Sequence, residues 1–248
     1  MIQSVFRLAT RISDPPPMPD PLLIGSLLFP DMDQADFTGP FEVLSRIPDS
    51  RLITLAKSAG SPRPLRDFRG LILTPETALS NCPPLDILHL PGGPGQQALM
   101  EDAEVLAFIR TQAKQARYIF CVCTGALIAG AAGLLKGRRA TTHWASVELL
   151  PLLGALPSPD RVVVDGNLIT TAGVTGGIDG ALRLAALLRG DAVAQEIQLY
   201  MQYAPEPPFN AGSPESAPPE ILAAVRKRFE PLITARRRTA EKIASNLR

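Results

Sequence analysis

The sequence predicts an α/β fold: a single doubly wound, largely parallel sheet flanked by helices. Three observations predict it. Near-continuous apolar runs recur at Leu22-Leu-Ile-Gly-Ser-Leu-Leu-Phe29, Asp86-Ile-Leu-His-Leu90 and Tyr118-Ile-Phe-Cys-Val122, as expected of strands covered on both faces. Segments with helical spacing of apolar residues alternate with these runs. Three of the predicted strands also lead into chemically informative residues, and ligands of open parallel sheets bind at the strands' carboxyl ends.

In chain order, the strand at 22–29 leads through a loop at 30–35 into a short helix, Asp36-Phe-Thr-Gly-Pro-Phe-Glu-Val-Leu44. A second strand at 52–57 and hairpin-like pieces over 65–74 follow. The strand at 86–90 runs into Pro91-Gly-Gly93, and residues 103–116 have helical spacing, with Val105, Leu106 and Ile109 on one face. The strand at 118–122 gives way from Thr124 to a helix rich in Gly and Ala. Helices are predicted over 144–153 and 176–188, with strands at 161–164 and 168–171 between them, and an amphipathic helix over 191–203. The proline-rich segment 204–219 is an extended surface loop. A basic helix from Glu220 to the end is expected to kink or restart at Pro231, which lacks an N–H donor. Residues 1–21 read as a disordered tail, ending in Asp14-Pro-Pro-Pro-Met-Pro-Asp20, and 22–248 as one domain.

Composition narrows the function. Of 248 residues, 46% are hydrophobic and 20% charged, and the net charge is +1. That profile suits a globular enzyme and argues against general nucleic-acid binding. Three cysteines, two of them close together on one strand, imply no disulfide framework and favour a reducing, cytoplasmic compartment. The uncharged run Tyr118–Leu135 reads better as strand then helix than as a membrane span, and the N-terminus has no secretory h-region. No cysteine or histidine spacing suggests a metal site, and no cofactor is implied.

Cys123 carries the functional argument. It sits where the uncharged strand turns into the small-residue helix, so its sulfur is expected to be exposed on a tight turn at a helix N-terminus. There backbone N–H groups and the helix dipole favour thiolate, a nucleophile elbow with sulfur in place of oxygen. The amides of Gly93 and Thr124 are expected to form an anion-binding notch beside it. Cys121 reads as a packing residue, Cys82 as incidental and His89 as a satisfied core histidine.

Five motifs then fall into one pattern: Asp36-Phe-Thr-Gly-Pro-Phe-Glu-Val43, Leu90-Pro-Gly-Gly93, Val122-Cys-Thr-Gly-Ala126, Arg139-Ala-Thr-Thr-His-Trp144 and Asp165-Gly-Asn-Leu-Ile-Thr170 with Gly176-Gly-Ile-Asp179. Together they resemble the ThiJ/PfpI superfamily, and within it the isonitrile hydratases, from about Leu22 to the C-terminus. The resemblance implies a flavodoxin-like, class I glutamine amidotransferase-like fold and a homodimer. It also implies Cys123 as nucleophile, Asp36 as acid partner and a small-molecule isonitrile as substrate. Thr124 stands where protease-like members have histidine, and is expected to orient Asp36 or a water. His143 and Ala172 are expected in the surrounding shell, Ala172 standing where the family would have more glycine. Two rivals stay open: a glyoxalase-like or amidase-like enzyme, and the ligand-sensing half of an AraC-type regulator. The basic residues Arg226-Lys-Arg228 and Arg236-Arg-Arg238 are expected on a solvated face or against a partner subunit, since one helix does not make a DNA-binding module. Neither nucleic acid nor membrane is expected as a partner.

Overall fold

The computed structural model describes residues 21–57 and 63–246; the tail expected over 1–21 lies, except for Pro21, outside them. β1 (Leu22–Leu27) leads through α1 (Gln34–Leu44) to β2 (Ser50–Ala56). An antiparallel pair, β3 (Leu65–Arg66) with β4 (Ile72–Leu73), precedes β5 (Thr77–Ala78) and β6 (Ile87–Leu90). Helices α2 (Gln96–Met100) and α3 (Ala103–Ala113) connect to β7 (Tyr118–Val122), which runs into α4 (Gly125–Ala131). β8 (Arg139–Ala140) and β9 (Leu156–Pro157) pair across a 3-10 helix, Trp144–Leu153. The hairpin of β10 (Val162–Asp165) and β11 (Leu168–Thr171), then α5 (Gly176–Arg189), α6 (Asp191–Tyr200) and α7 (Pro219–Asn246), complete the order.

The main sheet has seven strands in the order β10-β11-β7-β6-β1-β2-β5. Every pairing is parallel except β10 with β11, which a tight turn at Gly166 makes antiparallel. The predicted α/β sheet is therefore mixed but mostly parallel. β1 pairs with β2 on one side and β6 on the other, so the connections leave in opposite directions there and open a crevice beyond the strand ends.

Both faces of the sheet are covered. On one, α1 and α5 bury Ile24, Val43, Leu44, Phe120 and Leu184; on the other, Leu55, Leu90, Ile109, Ile128 and Leu150 form the larger core. The uncharged run 118–135 is thus strand then buried helix. Among the described residues no helix is long and apolar enough to cross a membrane.

The short elements β5, α2, β8 and β9 are absent from the sequence reading, and two predicted segments differ from it. Residues 144–153 form a 3-10 rather than an α-helix: Pro151 withholds an N–H and Gly154 ends the helix at φ +81°. α7 runs through Pro231 without a restart; Pro231 and Lys227, whose carbonyl loses its helical partner, both lie on the exposed side, so the unpaired group is not buried. α7 is also not simply a solvated face: it packs on the 3-10 helix and on α2, burying Arg236, Thr239 and Ala240.

Candidate active site

Cys123 follows β7 directly and adopts φ +55°, a conformation uncommon outside glycine. Two bonds fix the turn: the Cys123 N–H donates to the Ala172 carbonyl (3.2 Å), and the Thr142 hydroxyl donates to the Cys123 carbonyl (2.7 Å). Ala172 therefore meets the elbow through its backbone. Cys123 is only 5% exposed, which corrects the expectation of an exposed sulfur. The turn folds it under the loop that follows β11 instead of presenting it to solvent.

The Gly92-Gly93 loop after β6 draws the other groups together. The Gly92 N–H donates to Asp36 Oδ2 (3.0 Å), and the Gly93 N–H donates to Thr124 Oγ1 (3.1 Å). The notch expected from the amides of Gly93 and Thr124 is thus not formed, because the Thr124 hydroxyl already occupies Gly93. The N–H groups that favour the sulfur anion are those of Thr124 and Val174, the latter from the loop after β11. Thr124 consequently braces Gly93 and does not reach Asp36 through its hydroxyl, while Asp36 Oδ1 has no hydrogen-bond partner among the described residues.

Gly92 has no room for a side chain. A Cβ there would stand 2.5 Å from Thr124 N, 2.6 Å from Thr124 Oγ1 and 2.9 Å from Asp36 Oδ2. Gly93 has φ +120°, and its own Cβ would meet Asp33 N at 2.1 Å. The two glycines let backbone fill the space between acid and elbow.

Burial dominates the electrostatics. It pushes the Asp36 carboxyl well above the usual carboxylate range, helped by the neighbouring Asp33; the Cys123 thiol and the Gly92 N–H pull it back. Burial, then the Asp36 charge, likewise holds the Cys123 thiol well above the ordinary thiol value, against the Val174 and Thr124 amides. The helix-terminus argument for a low thiol pKa is therefore outweighed by desolvation. Two such acids in contact titrate as one pair and favour a shared proton over two ionised groups.

The histidines flank this pair. His143 caps the 3-10 helix, its Nδ1 accepting from the Ala145 N–H (3.3 Å), and its ring packs beside Gly173, Trp144 and Phe229. Burial and then Arg236 lower its pKa to about 4. His89 meets Ser26 Oγ through Nδ1 (2.9 Å) and stacks on Phe120, but its Nε2 has no hydrogen-bond partner among the described residues, so it is a half-satisfied core histidine. Burial lowers its pKa to about 3, with the Asp36 backbone opposing. Cys121 is fully buried in the core.

Arg236 is a charged residue of the site that sequence reasoning missed. It enters from α7, is 4% exposed, and donates to the Gly93 carbonyl (3.2 Å) and Ser146 Oγ (3.2 Å). Its Nε donates to the side-chain oxygen of Gln96 (3.1 Å), in the amide orientation the hydrogen bonds require. Its charge acts on both Cys123 and Asp36. In a run of three arginines nothing marks one as buried; only the packing of α7 does.

Residues 24–187 match the model of the DJ-1/PfpI family. The chain belongs to the DJ-1/PfpI family. It is 50% identical over 226 residues to the isonitrile hydratase of Pseudomonas putida, covering 91% of this chain and 98% of that protein. A crystal structure of a ThiJ/PfpI family protein from Pseudomonas syringae superimposes with a TM-score of 0.86 at 37% identity, over 96% of this chain and 97% of that one. The HTH-type transcriptional regulator GbdR of Pseudomonas aeruginosa is 28% identical over 190 residues, which span 74% of this chain but 51% of the regulator. Arg236 and the whole of α7 lie beyond the residues that the DJ-1/PfpI model matches.

Proposed function

We propose that this DJ-1/PfpI protein is an isonitrile hydratase, adding water to R–N≡C to give an N-substituted formamide. The observation that carries the reading is the 50% identity to an isonitrile hydratase across nearly the whole of both chains. The pairing of Cys123 with a carboxyl group, where no histidine follows the nucleophile, supports it.

An isonitrile carbon accepts both a nucleophile and a proton. The Cys123 thiolate attacks that carbon, forming the S–C bond, while protonated Asp36 delivers its proton to the same carbon. The product is a thioimidate, R–N=CH–S–Cys123, and Asp36 is left ionised. Asp36 then removes a proton from water as hydroxide adds to the thioimidate carbon, and passes that proton to nitrogen. Collapse of the adduct breaks the C–S bond, the hydroxyl proton returns to Asp36, and R–NH–CHO leaves with thiolate restored. The Thr124 and Val174 amides favour the sulfur anion at both ends of this cycle. Thr124 Oγ1 holds Gly93, and Gly92 holds Asp36 Oδ2, leaving Oδ1 free to carry the proton.

Consumption of a simple alkyl or aryl isonitrile by the purified protein tests the reading. Cys123→Ala is expected to abolish turnover and Asp36→Asn to lower it by at least about a thousandfold. Methylglyoxal or an amide consumed in place of isonitriles would move the protein to the glyoxalase-like or amidase-like reading.

A further inference from the structure

Arg236 combines deep burial, a permanent charge and, among the described residues, no salt-bridged anion of its own. Its three hydrogen-bond acceptors are neutral: the Gly93 carbonyl, the Ser146 hydroxyl and the Gln96 amide. Among the described residues no carboxylate forms a salt bridge with it, although its neighbour Arg237 pairs with Glu148 at the surface (3.3 Å). An isolated buried charge is costly unless a counter-charge lies near. The acids whose ionisation Arg236 favours are Cys123 and Asp36, the pair that the proposed hydration uses.

We propose that Arg236 is a positioning residue and the fixed counter-cation of the Cys123–Asp36 pair, opposing burial by favouring one negative charge on that pair while it locks the Gly92-Gly93 loop. The balance is one guanidinium against one anion shared by two acids. Burial already favours the doubly protonated pair, which has no thiolate to attack with, and loss of the guanidinium removes a charge that opposes it. The bond to the Gly93 carbonyl adds a mechanical role. One peptide segment is gripped at the Gly92 N–H by Asp36, at the Gly93 N–H by Thr124 and at the Gly93 carbonyl by Arg236. The other groups around the pair do not supply the charge. Asp33, on the turn before α1, repels Asp36; His89 beneath it and His143 beside Arg236 both have lowered pKa values and are neutral near pH 7. The charge role of Arg236 rests on the hydratase reading only for its purpose, because the ionisation of the pair is measurable without substrate.

The test is the thiolate absorbance of Cys123 against pH, read as the difference between each protein and its Cys123→Ala counterpart. Arg236→Gln is expected to raise the midpoint by about one to three pH units and to lower isonitrile turnover at neutral pH at least about tenfold. Arg236→Lys keeps a charge and is expected to stay near the unmodified midpoint while losing turnover through its poorer grip on Gly93. Arg237→Gln, a surface change on the same helix, is expected to leave the midpoint in place. Should Arg236→Gln not fold, Gln96→Glu sets a carboxylate against the guanidinium Nε and is expected to raise the midpoint as well. An unmoved midpoint in Arg236→Gln or Gln96→Glu overturns the proposal, as does a lysine variant that titrates like the glutamine one. If the midpoints shift as expected but no isonitrile is consumed, the charge role stands and the hydratase reading fails.

Discussion

Gly92 shows how little space separates structure from chemistry at this site. Its missing side chain is what allows Asp36 Oδ2, Thr124 N and Thr124 Oγ1 to converge within 3 Å of a single Cβ position. Gly92→Ala must therefore displace the acid or the elbow, and neither can give cheaply, since the Thr124 contact is backbone. A shift of about 1 Å in a reacting group costs on the order of a hundredfold in rate. Gly92→Ala is accordingly expected to lose at least that much isonitrile turnover and to melt at a lower temperature; turnover within a few-fold of the parent would show that the loop tolerates the methyl. At this scale much of the site was legible. Cys123, Gly92 and Gly93 come just after apolar strands, and Asp36 opens the helix that the first strand leads into, so topology brings them to one edge. Thr142 and Val174 were not legible, because they act through a hydroxyl on a backbone carbonyl and through an amide, which sequence patterns do not mark. Burial of the sulfur was missed for a related reason: the elbow explains why Cys123 is held, but the loop after β11 decides how far it is covered.

Among the elements, the 3-10 helix and its cap tie the histidine closest to Arg236 to the pH response. The pKa of His143 falls to about 4 on folding, through burial first and the Arg236 charge second. A histidine whose folded value lies below its unfolded value of about 6.5 supplies its full stability above that value and loses it as pH falls toward 4. His89, lowered to about 3, acts in the same direction and continues to lower pH. Asp36 opposes them: its raised pKa makes the folded state hold a proton that the unfolded chain releases, so its contribution falls as pH rises above about 3.8. His143→Asn retains a side-chain acceptor for the Ala145 N–H while removing the imidazole. The stability lost between pH 7 and pH 4, measured from urea unfolding midpoints, is expected to shrink by on the order of 2 kcal/mol in this variant. An unchanged acid dependence would mean that His143 titrates alike in both states. Sequence periodicity located this element but gave it the wrong helix type. Pro151 and Gly154 carry the relevant signal, and their effect depends on how tightly the turn is drawn between β8 and β9.

For the whole molecule, the central question is how a C-terminal helix governs chemistry assembled at the sheet's edge. Residues from 89 to 143 positions apart in sequence meet there, and their contacts divide into two kinds. The surface pairs Arg237–Glu148 and Lys242–Glu101 are exposed and contribute little. The interior bonds are those of Arg236, together with Gln97 Nε2, which donates to Thr239 Oγ1 (2.9 Å) and to the Ala235 carbonyl (3.3 Å). Gln97 belongs to α2, the short helix that follows the Gly92-Gly93 loop, so α2 and α7 clamp that loop from its own chain and from the far end of the sequence. Replacing both partners, as in Gln97→Leu with Thr239→Val, removes the tie between the side chains without leaving either polar group buried and unpaired. If α7 holds the loop, amide exchange is expected to accelerate together in residues 232–240 and at Gly92 and Gly93, with turnover falling several-fold and the fold intact by circular dichroism. If α7 alone loosens while Gly92, Gly93 and turnover keep their parental behaviour, the helix is a cover rather than a brace. Arg236 would then act on the pair by its charge alone.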